Sequence, residues 1–134
     1  MLRQSCLTAA ATVFALSTFG AGARAEDEKL PATGVYNCPI SNMHRCVDEK
    51  CETRKPPATM EISINFDSKE ACVRRGSAAC RKPRAFTIVE QGQNYNLVFS
   101  KHSMMFSLRP GGKLIGSDID RRGVVTIIAM CARG

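Results

Sequence analysis

The sequence predicts an all-β fold: a small antiparallel meander barrel or sandwich of about seven to eight strands, stapled by disulfides. Beyond residue 25, Ile and Val together number 15 against four Leu, a bias that favours sheet over helix. Several segments alternate apolar and polar residues, as strands with one covered face do. Turn residues recur about every ten positions, near Gly92, His102, Gly111 and Arg122, which is typical of a meander.

The first 25 residues are typical of a secretory signal peptide, which leaves a single domain at 26–134. Arg3 precedes an apolar run from Cys6 to Gly22 that contains no acid or base. Ala23-Arg24-Ala25 then places small residues where a signal peptidase cleaves. The alternative is a membrane anchor, but the run is shorter than the roughly 20 residues that a spanning helix needs. No later segment is apolar enough to form a transmembrane span.

Six cysteines remain after the predicted cleavage: Cys38, Cys46, Cys51, Cys72, Cys80 and Cys131. An even count in an exported chain indicates three disulfides, although sequence alone allows 15 pairings. Zinc is the alternative, but it favours closely spaced cysteine pairs that are absent from this sequence. We favour Cys38–Cys131, Cys46–Cys51 and Cys72–Cys80, in which two local pairs leave one bridge between the first and last strands.

The alternating segments locate most of the strands. The clearest covers 60–67, where Met60, Ile62, Ile64 and Phe66 share one face. Further strands are predicted from Phe86 to the turn at Gln91-Gly92, and at 94–100, 104–109 and 113–120. The apolar faces of the strands at 94–100 and 104–109 carry Tyr95, Leu97, Phe99, Met104, Phe106 and Leu108. The segment 124–130 is apolar at nearly every position, which predicts a strand covered on both faces. The one helical candidate is a short turn at 68–75, with Ser68 as its cap, and 50–58 is predicted as a polar loop.

Positive charge is concentrated in a few places. After removal of the signal peptide, 17 Lys and Arg stand against 12 Asp and Glu, a net charge of +5. The predicted anion-binding patch consists of Arg74, Arg75, Arg81, Lys82, Arg84, Arg121 and Arg122. Such a patch attracts an anionic glycan, lipopolysaccharide phosphates or an acidic protein partner, or it serves only as a solubilising surface. Nucleic acid is disfavoured as a partner by export and by the scarcity of aromatic residues.

The sequence does not predict an enzyme, a catalytic residue or a cofactor. His44 and His102 are the only imidazoles, and neither lies in a recognised catalytic motif. Oxidised cysteines supply no thiolate nucleophile, and there is no glycine-rich phosphate loop. Met43-His44 and His102-Ser103-Met104-Met105 combine thioether and imidazole groups that suit copper(I), so a periplasmic copper binder is one alternative function. No ligand spacing defines a metal site.

Tyr36-Asn37-Cys38 and Cys131 occupy positions similar to those in the small periplasmic inhibitors of C-type lysozyme. That resemblance implies an exported antiparallel barrel that blocks a hydrolase. The family's recognition motif, Ser-Gly followed by an aromatic residue, is missing, and the nearest stretch, Ser100 to Met104, differs from it. A net charge of +5 would also repel a basic lysozyme. The chain equally resembles other small exported proteins of Gram-negative bacteria.

The main functional expectation is therefore a periplasmic or secreted protein whose basic surface binds anionic envelope or host ligands. The second is an inhibitor of a lysozyme or a protease that presents the hairpin loop Lys101-His102-Ser103. The copper binder is the third.

Overall fold

The computed structural model describes residues 28–134, so the signal peptide predicted at 1–25 lies outside the described residues. The described chain is all-β. Its strands are β1 (Val35–Val47), β2 (Lys50–Arg54), β3 (Met60–Asn65), β4 (Glu70–Arg75), β5 (Arg84–Ala85), β6 (Thr87–Gln91), β7 (Asn94–Phe99), β8 (Met104–Leu108), β9 (Lys113–Asp120), β10 (Gly123–Met130) and β11 (Ala132–Arg133). A 3-10 turn at Pro110–Gly112 precedes β9, and no helix in this part of the chain is long and apolar enough to cross a membrane.

Nine of the strands form a nearly closed antiparallel barrel in the order β5-β4-β3-β1-β10-β9-β8-β7-β6. Strands β6 to β10 follow one another as the meander that the turn spacing predicts. The barrel is completed by β1, which lies between β3 and β10. The fold class predicted from the sequence is thus confirmed in its barrel form, and β2 and β11 add to it as further partners of β1.

Strand β1 belongs to both halves of the barrel. Its first half pairs with β3, from Val35 to Pro39, and its second half pairs with β10. The change of partner coincides with a bulge between Ile40 and Asn42, where the register with β10 shifts. The hydroxyl of Ser41, inside this bulge, donates a hydrogen bond to the carbonyl of Ile128 at 3.0 Å. A bulge bends its strand, which allows one strand to turn the corner of a closed sheet.

The two ends of the sheet meet at a single residue. Phe86 separates β5 from β6, and its side chain is buried in the core. Its amide donates to the carbonyl of Lys69 at 2.9 Å, which attaches this corner to the turn between β3 and β4. The backbone runs from β5 through Phe86 into β6, so the chain itself closes the barrel at this level, with the ring of Phe86 buried inside.

Aromatic rings fill one end of the barrel. Phe66 contacts Tyr36, Phe86 and Tyr95 with centroids 5.5 to 6.0 Å apart, and each contact is edge-on. The row continues from Phe86 to Phe99 at 5.7 Å and from Phe99 to Phe106 at 5.3 Å. Edge-to-face pairs add to the stabilisation that ring burial gives. Phe66 lies on the apolar face that the sequence predicts for the strand at 60–67.

Residues 28–34 cover this aromatic end. Leu30 and Ala32 pack against the core, and the hydroxyl of Tyr36 donates to the carbonyl of Pro31 at 2.8 Å. Lys29 bridges to Glu90 at 2.7 Å and lies over the ring of Tyr95, 4.7 Å from its centroid. The hydrogen bond to Glu90 raises the pKa of Lys29. We call this covered part of the barrel the closed end.

Three disulfides join Cys38 to Cys131, Cys46 to Cys51 and Cys72 to Cys80, the pairs that the sequence favours. Cys46 and Cys51 are directly paired residues of the β1–β2 hairpin. Cys38 is fully buried and lies in the first half of β1, so its bridge attaches the chain end to the core. The backbone at Gly112 lies directly against the carbonyl of Cys131. Glycine is needed at this position, because a Cβ there would collide with that carbonyl.

The helical turn predicted at 68–75 is wrong, because 70–75 forms strand β4. The side chain of Asn65 accepts hydrogen bonds from the amides of Asp67 and Ser68, which builds a turn where a helix cap was expected. Lys69 has a φ of 55°, in the left-handed region, which is incompatible with a helix starting at Ser68. The chain instead reverses and pairs with β3.

Two other expectations also need correction. The loop predicted at 50–58 begins with β2, whose five residues are all exposed, so no apolar alternation marked it as a strand. Asp48 and Glu49, both with positive φ, make the tight turn before it. Strand β10 is not covered on both faces, since Val124 and Met130 are 38% and 52% exposed. A single sheet closed into a barrel has no second layer over its outer face.

The longest-range and the shortest-range of the three bridges should differ in their contribution to stability. Replacing Cys38 and Cys131 by Ala should lower the free energy of unfolding by about 4 to 5 kcal/mol, because that bridge closes the longest loop. Replacing Cys46 and Cys51 should lower it by about 2 kcal/mol, because only a short hairpin is closed. Urea unfolding of the two double variants at the same pH measures the difference. Equal losses would contradict this ranking.

Stability should fall at alkaline pH partly through Tyr36. Burial raises the pKa of its phenol above the ordinary value of 10.0, so the folded state favours the neutral form. The contribution of the neutral phenol to folding stability is complete below the ordinary pKa of the unfolded chain. It is lost as the pH rises through the higher pKa of the folded state. Tyr36→Phe should cost about 1 kcal/mol at neutral pH, because its hydrogen bond is lost. Urea unfolding across this pH range should show that the free energy of unfolding falls less steeply with pH in Tyr36→Phe than in the wild type. An equal fall in the two proteins would exclude Tyr36 as the cause.

Candidate functional site

The barrel lacks part of its wall at the end opposite the aromatic rings. Strand β5 has only two residues, which pair with Glu70 and Ala71, so the rest of β4 has no neighbouring strand on that side. Val73 shows the consequence. It lies opposite the fully buried Ile62 in the β3–β4 ladder, and therefore on the interior face, yet it is 51% exposed. Solvent thus reaches the barrel interior at this end, which we call the open end.

A cavity of about 560 Å³ lies inside the open end. Its volume is within the range of small-molecule binding sites. Phe106, the last ring of the aromatic row, lines it together with Ile40 and Ala71. The other apolar lining residues come from five strands and are Met43, Met60, Cys72, Val73, Met104, Val125 and Ile127. The cavity is therefore the unfilled continuation of the hydrophobic core.

Strand register explains why these side chains converge. Met43 and Ile127 are paired residues of β1 and β10, and Met104 lies opposite Asp118 in the β8–β9 ladder. Asp118 in turn lies opposite Val125 in the β9–β10 ladder. Directly paired residues of antiparallel strands point to the same face, so each pair contributes to one continuous inner surface.

Three cations and one carboxylate line the cavity as well. Arg81 and Lys82 belong to the segment between β4 and β5, Arg84 is the first residue of β5, and Asp118 lies across the barrel on β9. All three basic residues are exposed, and Nη1 of Arg84 lies 4.0 Å from Sδ of Met104. The Cys72–Cys80 disulfide fixes the start of this segment against β4. We call Arg81, Lys82 and Arg84 the basic rim.

The remaining members of the predicted patch have different environments. Arg75 and Arg74 line a smaller groove of about 430 Å³ that shares Met60, Val73 and Arg81 with the cavity. Arg74 is neutralised, because its Nε lies 2.6 Å from Oε1 of Glu61 and its Nη2 donates to Oδ1 of Asn37 at 2.9 Å. This ion pair is more than three-quarters covered on both sides, which gives Arg74 a structural role.

Arg121 and Arg122 lie apart from both concave sites. They form the exposed turn between β9 and β10, and neither lines the cavity or the groove. The amide of Arg122 donates to Oδ1 of Asp120 at 2.7 Å, and Oδ2 of the same carboxylate lies 3.5 Å from Nη2 of Arg45. The seven residues predicted as one patch therefore divide into the basic rim, the groove and this turn.

The residues considered for copper(I) are separated by strand geometry. Met43 lines the cavity, whereas the neighbouring His44 lies with Nδ1 2.9 Å from Oγ1 of Thr53 on the exposed β1–β2 hairpin. Met104 likewise lines the cavity, while Met105 is 49% exposed. Within residues 28–134 no three His, Cys, Asp or Glu side chains cluster in a way that could hold a metal ion.

The hairpin loop Lys101-His102-Ser103 is an exposed turn between β7 and β8. The amide of His102 donates to the carbonyl of Phe99 at 3.2 Å, and the amide of Ile119 donates to the carbonyl of Ser103 at 3.0 Å. The first bond closes the turn itself, and the second holds the turn against β9.

The sequence matches no protein-family model, and no curated protein is similar to it. The proposed function therefore rests on the fold and on the residues that line the open end.

The patch predicted from the sequence includes the three residues of the basic rim among its seven, but the sequence analysis did not predict the cavity beside them. Met60 and Met104 were correctly placed on the apolar faces of strands, where they would be expected to fill a core. Both are only partly covered and line open space instead. Methionines clustered near one end of several strands are the available signal, since flexible thioether side chains adapt to irregular space.

Variants of Arg74 and Arg75 should distinguish a cation that stabilises the fold from a cation that lies only at the surface. Arg74→Ala leaves Glu61 without its partner in a largely covered site, and should reduce the free energy of unfolding by about 1 to 3 kcal/mol. Arg75→Ala removes an exposed cation of the same kind and should change stability by less than about 0.5 kcal/mol. Urea unfolding provides the comparison, and similar values for the two variants would argue against a structural Arg74.

Proposed function

We propose that this is a periplasmic or secreted binding protein that takes anionic ligands at the basic rim of its open end. Three disulfides support an extracytoplasmic location, because such bonds persist in oxidising compartments. The observation that carries the proposal is the convergence of Arg81, Lys82 and Arg84 beside one concave site.

Charge around the cavity favours an anion. Three cations face a single carboxylate, that of Asp118, so the lining carries a net positive charge of two. A concave site with apolar walls focuses such a field, and it raises the local concentration of oppositely charged ligands. The rim is exposed to solvent, so its attraction should weaken with added salt.

Binding is favoured over catalysis by the side chains that are available. The charged groups along the cavity are two arginines, a lysine and one aspartate, while its other lining residues are apolar. This set provides electrostatic attraction and a hydrophobic surface. It provides no nucleophile paired with a base, which hydrolytic chemistry requires.

A second candidate function is inhibition of a lysozyme or a protease through the Lys101-His102-Ser103 turn. It is favoured by the fixed, exposed position of that turn, whose two backbone hydrogen bonds reduce the entropy lost on docking. The bridge from Cys38 near Tyr36 to Cys131 gives the barrel a layout similar to that of the periplasmic lysozyme inhibitors. Assays with lysozymes and serine proteases, using the wild type and His102→Ala, discriminate this function from anion binding.

The basic rim should dominate retention on immobilised heparin, used here as a polyanion. The double variant Arg81→Ala/Lys82→Ala should elute at clearly lower salt than the wild type, because it loses two of the three converging cations. Elution from a salt gradient at constant pH is the measurement.

The matched control is Arg109→Ala/Lys113→Ala. It removes the same two charges from exposed positions on either side of the 3-10 turn, outside the lining of the cavity. This control should elute closer to the wild type than the rim variant does. If the two double variants shift equally, retention follows net charge alone and the proposed site is wrong.

A further inference from the structure

We propose that the cavity holds the alkyl chain of a single-chain anionic amphiphile, such as a fatty acid or an alkyl phosphate, whose acidic headgroup lies at the basic rim. This inference rests on the proposed function, because the headgroup would use the same cations, and it adds a specific role for the cavity.

The cavity has the chemical character of an acyl-chain site. Its floor and walls are formed by apolar side chains, with Phe106 at the inner limit. Val73 is an interior-facing side chain that is half exposed, so apolar surface at this end is left in contact with water. Burying such surface is favourable, and an alkyl chain would do so without presenting unpaired polar groups to the wall.

Three methionines favour a flexible chain over a rigid ligand. Met43, Met60 and Met104 come from β1, β3 and β8 and surround the space. Unbranched thioether side chains change rotamer readily and adapt to irregular apolar partners. They would adjust to chains of different length, whereas a rigid ring would need a shape that is fixed in advance.

The position of the charges determines the orientation of the ligand. Arg81, Lys82 and Arg84 all belong to the segment that borders the gap beside β4, while Asp118 lies on β9. A phosphate or carboxylate would be attracted to the first group and repelled by Asp118. The headgroup therefore lies at the gap, and the chain extends inwards towards Phe106.

A homologous series of alkyl phosphates, from butyl to dodecyl, tests the cavity in the wild-type protein with its disulfides intact. Isothermal titration below the micelle concentration should show affinity rising roughly fourfold per added CH₂ until the cavity is full. Dodecanoate should bind as well as dodecyl phosphate or somewhat more weakly, and the extent of the difference shows which headgroup is preferred. Dodecyl maltoside, which has the same chain and a neutral head, should bind at least tenfold more weakly.

Val73→Phe and Val89→Phe form a matched pair for the location of the site. The two valines are 51% and 52% exposed, but only Val73 lines the cavity. Val73→Phe should reduce the affinity for dodecyl phosphate at least tenfold, and Val89→Phe should leave it unchanged. Retention on heparin should be the same for both variants, because neither changes a charge.

Each outcome has a distinct meaning. Affinity that does not change with chain length overturns the amphiphile site, and it does so in the wild type even if Val73→Phe fails to fold. Equal effects of the two phenylalanine variants also overturn it. In both cases the proposed anion-binding function stands if the rim variant still elutes early from heparin. Equal binding of dodecyl maltoside and dodecyl phosphate would overturn the role of the rim in this inference.

Discussion

The barrel depends on one strand that joins its two halves. β1 pairs with β3 over its first half and with β10 over its second, and the bulge at Ser41 redirects it between the two. The buried Cys38 anchors the chain end to the same strand through Cys131. Without this shared strand, the meander β6 to β10 and the hairpin β3 to β4 would be separate sheets with unpaired edges. A two-stranded hairpin such as β3–β4 is at best marginally stable alone, so it depends on its pairing with β1.

Closure of the barrel is unequal along its length, and this asymmetry creates the candidate site. At the closed end, Phe86 joins the two ends of the sheet and an aromatic row fills the interior. At the open end β5 stops after two residues, so β4 is left without a neighbour and the interior remains accessible. Large rings therefore pack the part of the barrel that is fully walled, and methionines line the part that is not.

The position of each basic residue in the fold determines whether its charge stabilises the structure or is available to a ligand. Arg74 and Arg81 belong to the same basic stretch of sequence, yet Arg74 is held by Glu61 and Asn37 while Arg81 borders the cavity. Their difference follows from the β3–β4 ladder, which places Glu61 directly opposite Arg74. A cation in an ion pair that is largely covered contributes to folding. A cation beside an open concavity is available to a ligand, which is the basis of the proposed function.

The sequence by itself determined the all-β class, the meander from β6 to β10 and the covered faces of β3, β7 and β8, because side-chain alternation is a local property of a strand. It also favoured the three cysteine pairs that the structure joins, since two of those pairs lie close in sequence. The extent of β1 was not predicted, and β2, β4, β5 and β11 were missed. β2, β5 and β11 are exposed or short, and β4, predicted as a helical turn, depends on the chain reversal at Lys69 that pairs it with β3. Only the tertiary structure decided where the barrel stays open and which of the basic residues stand beside the opening, because both follow from the register between strands that are far apart in the chain.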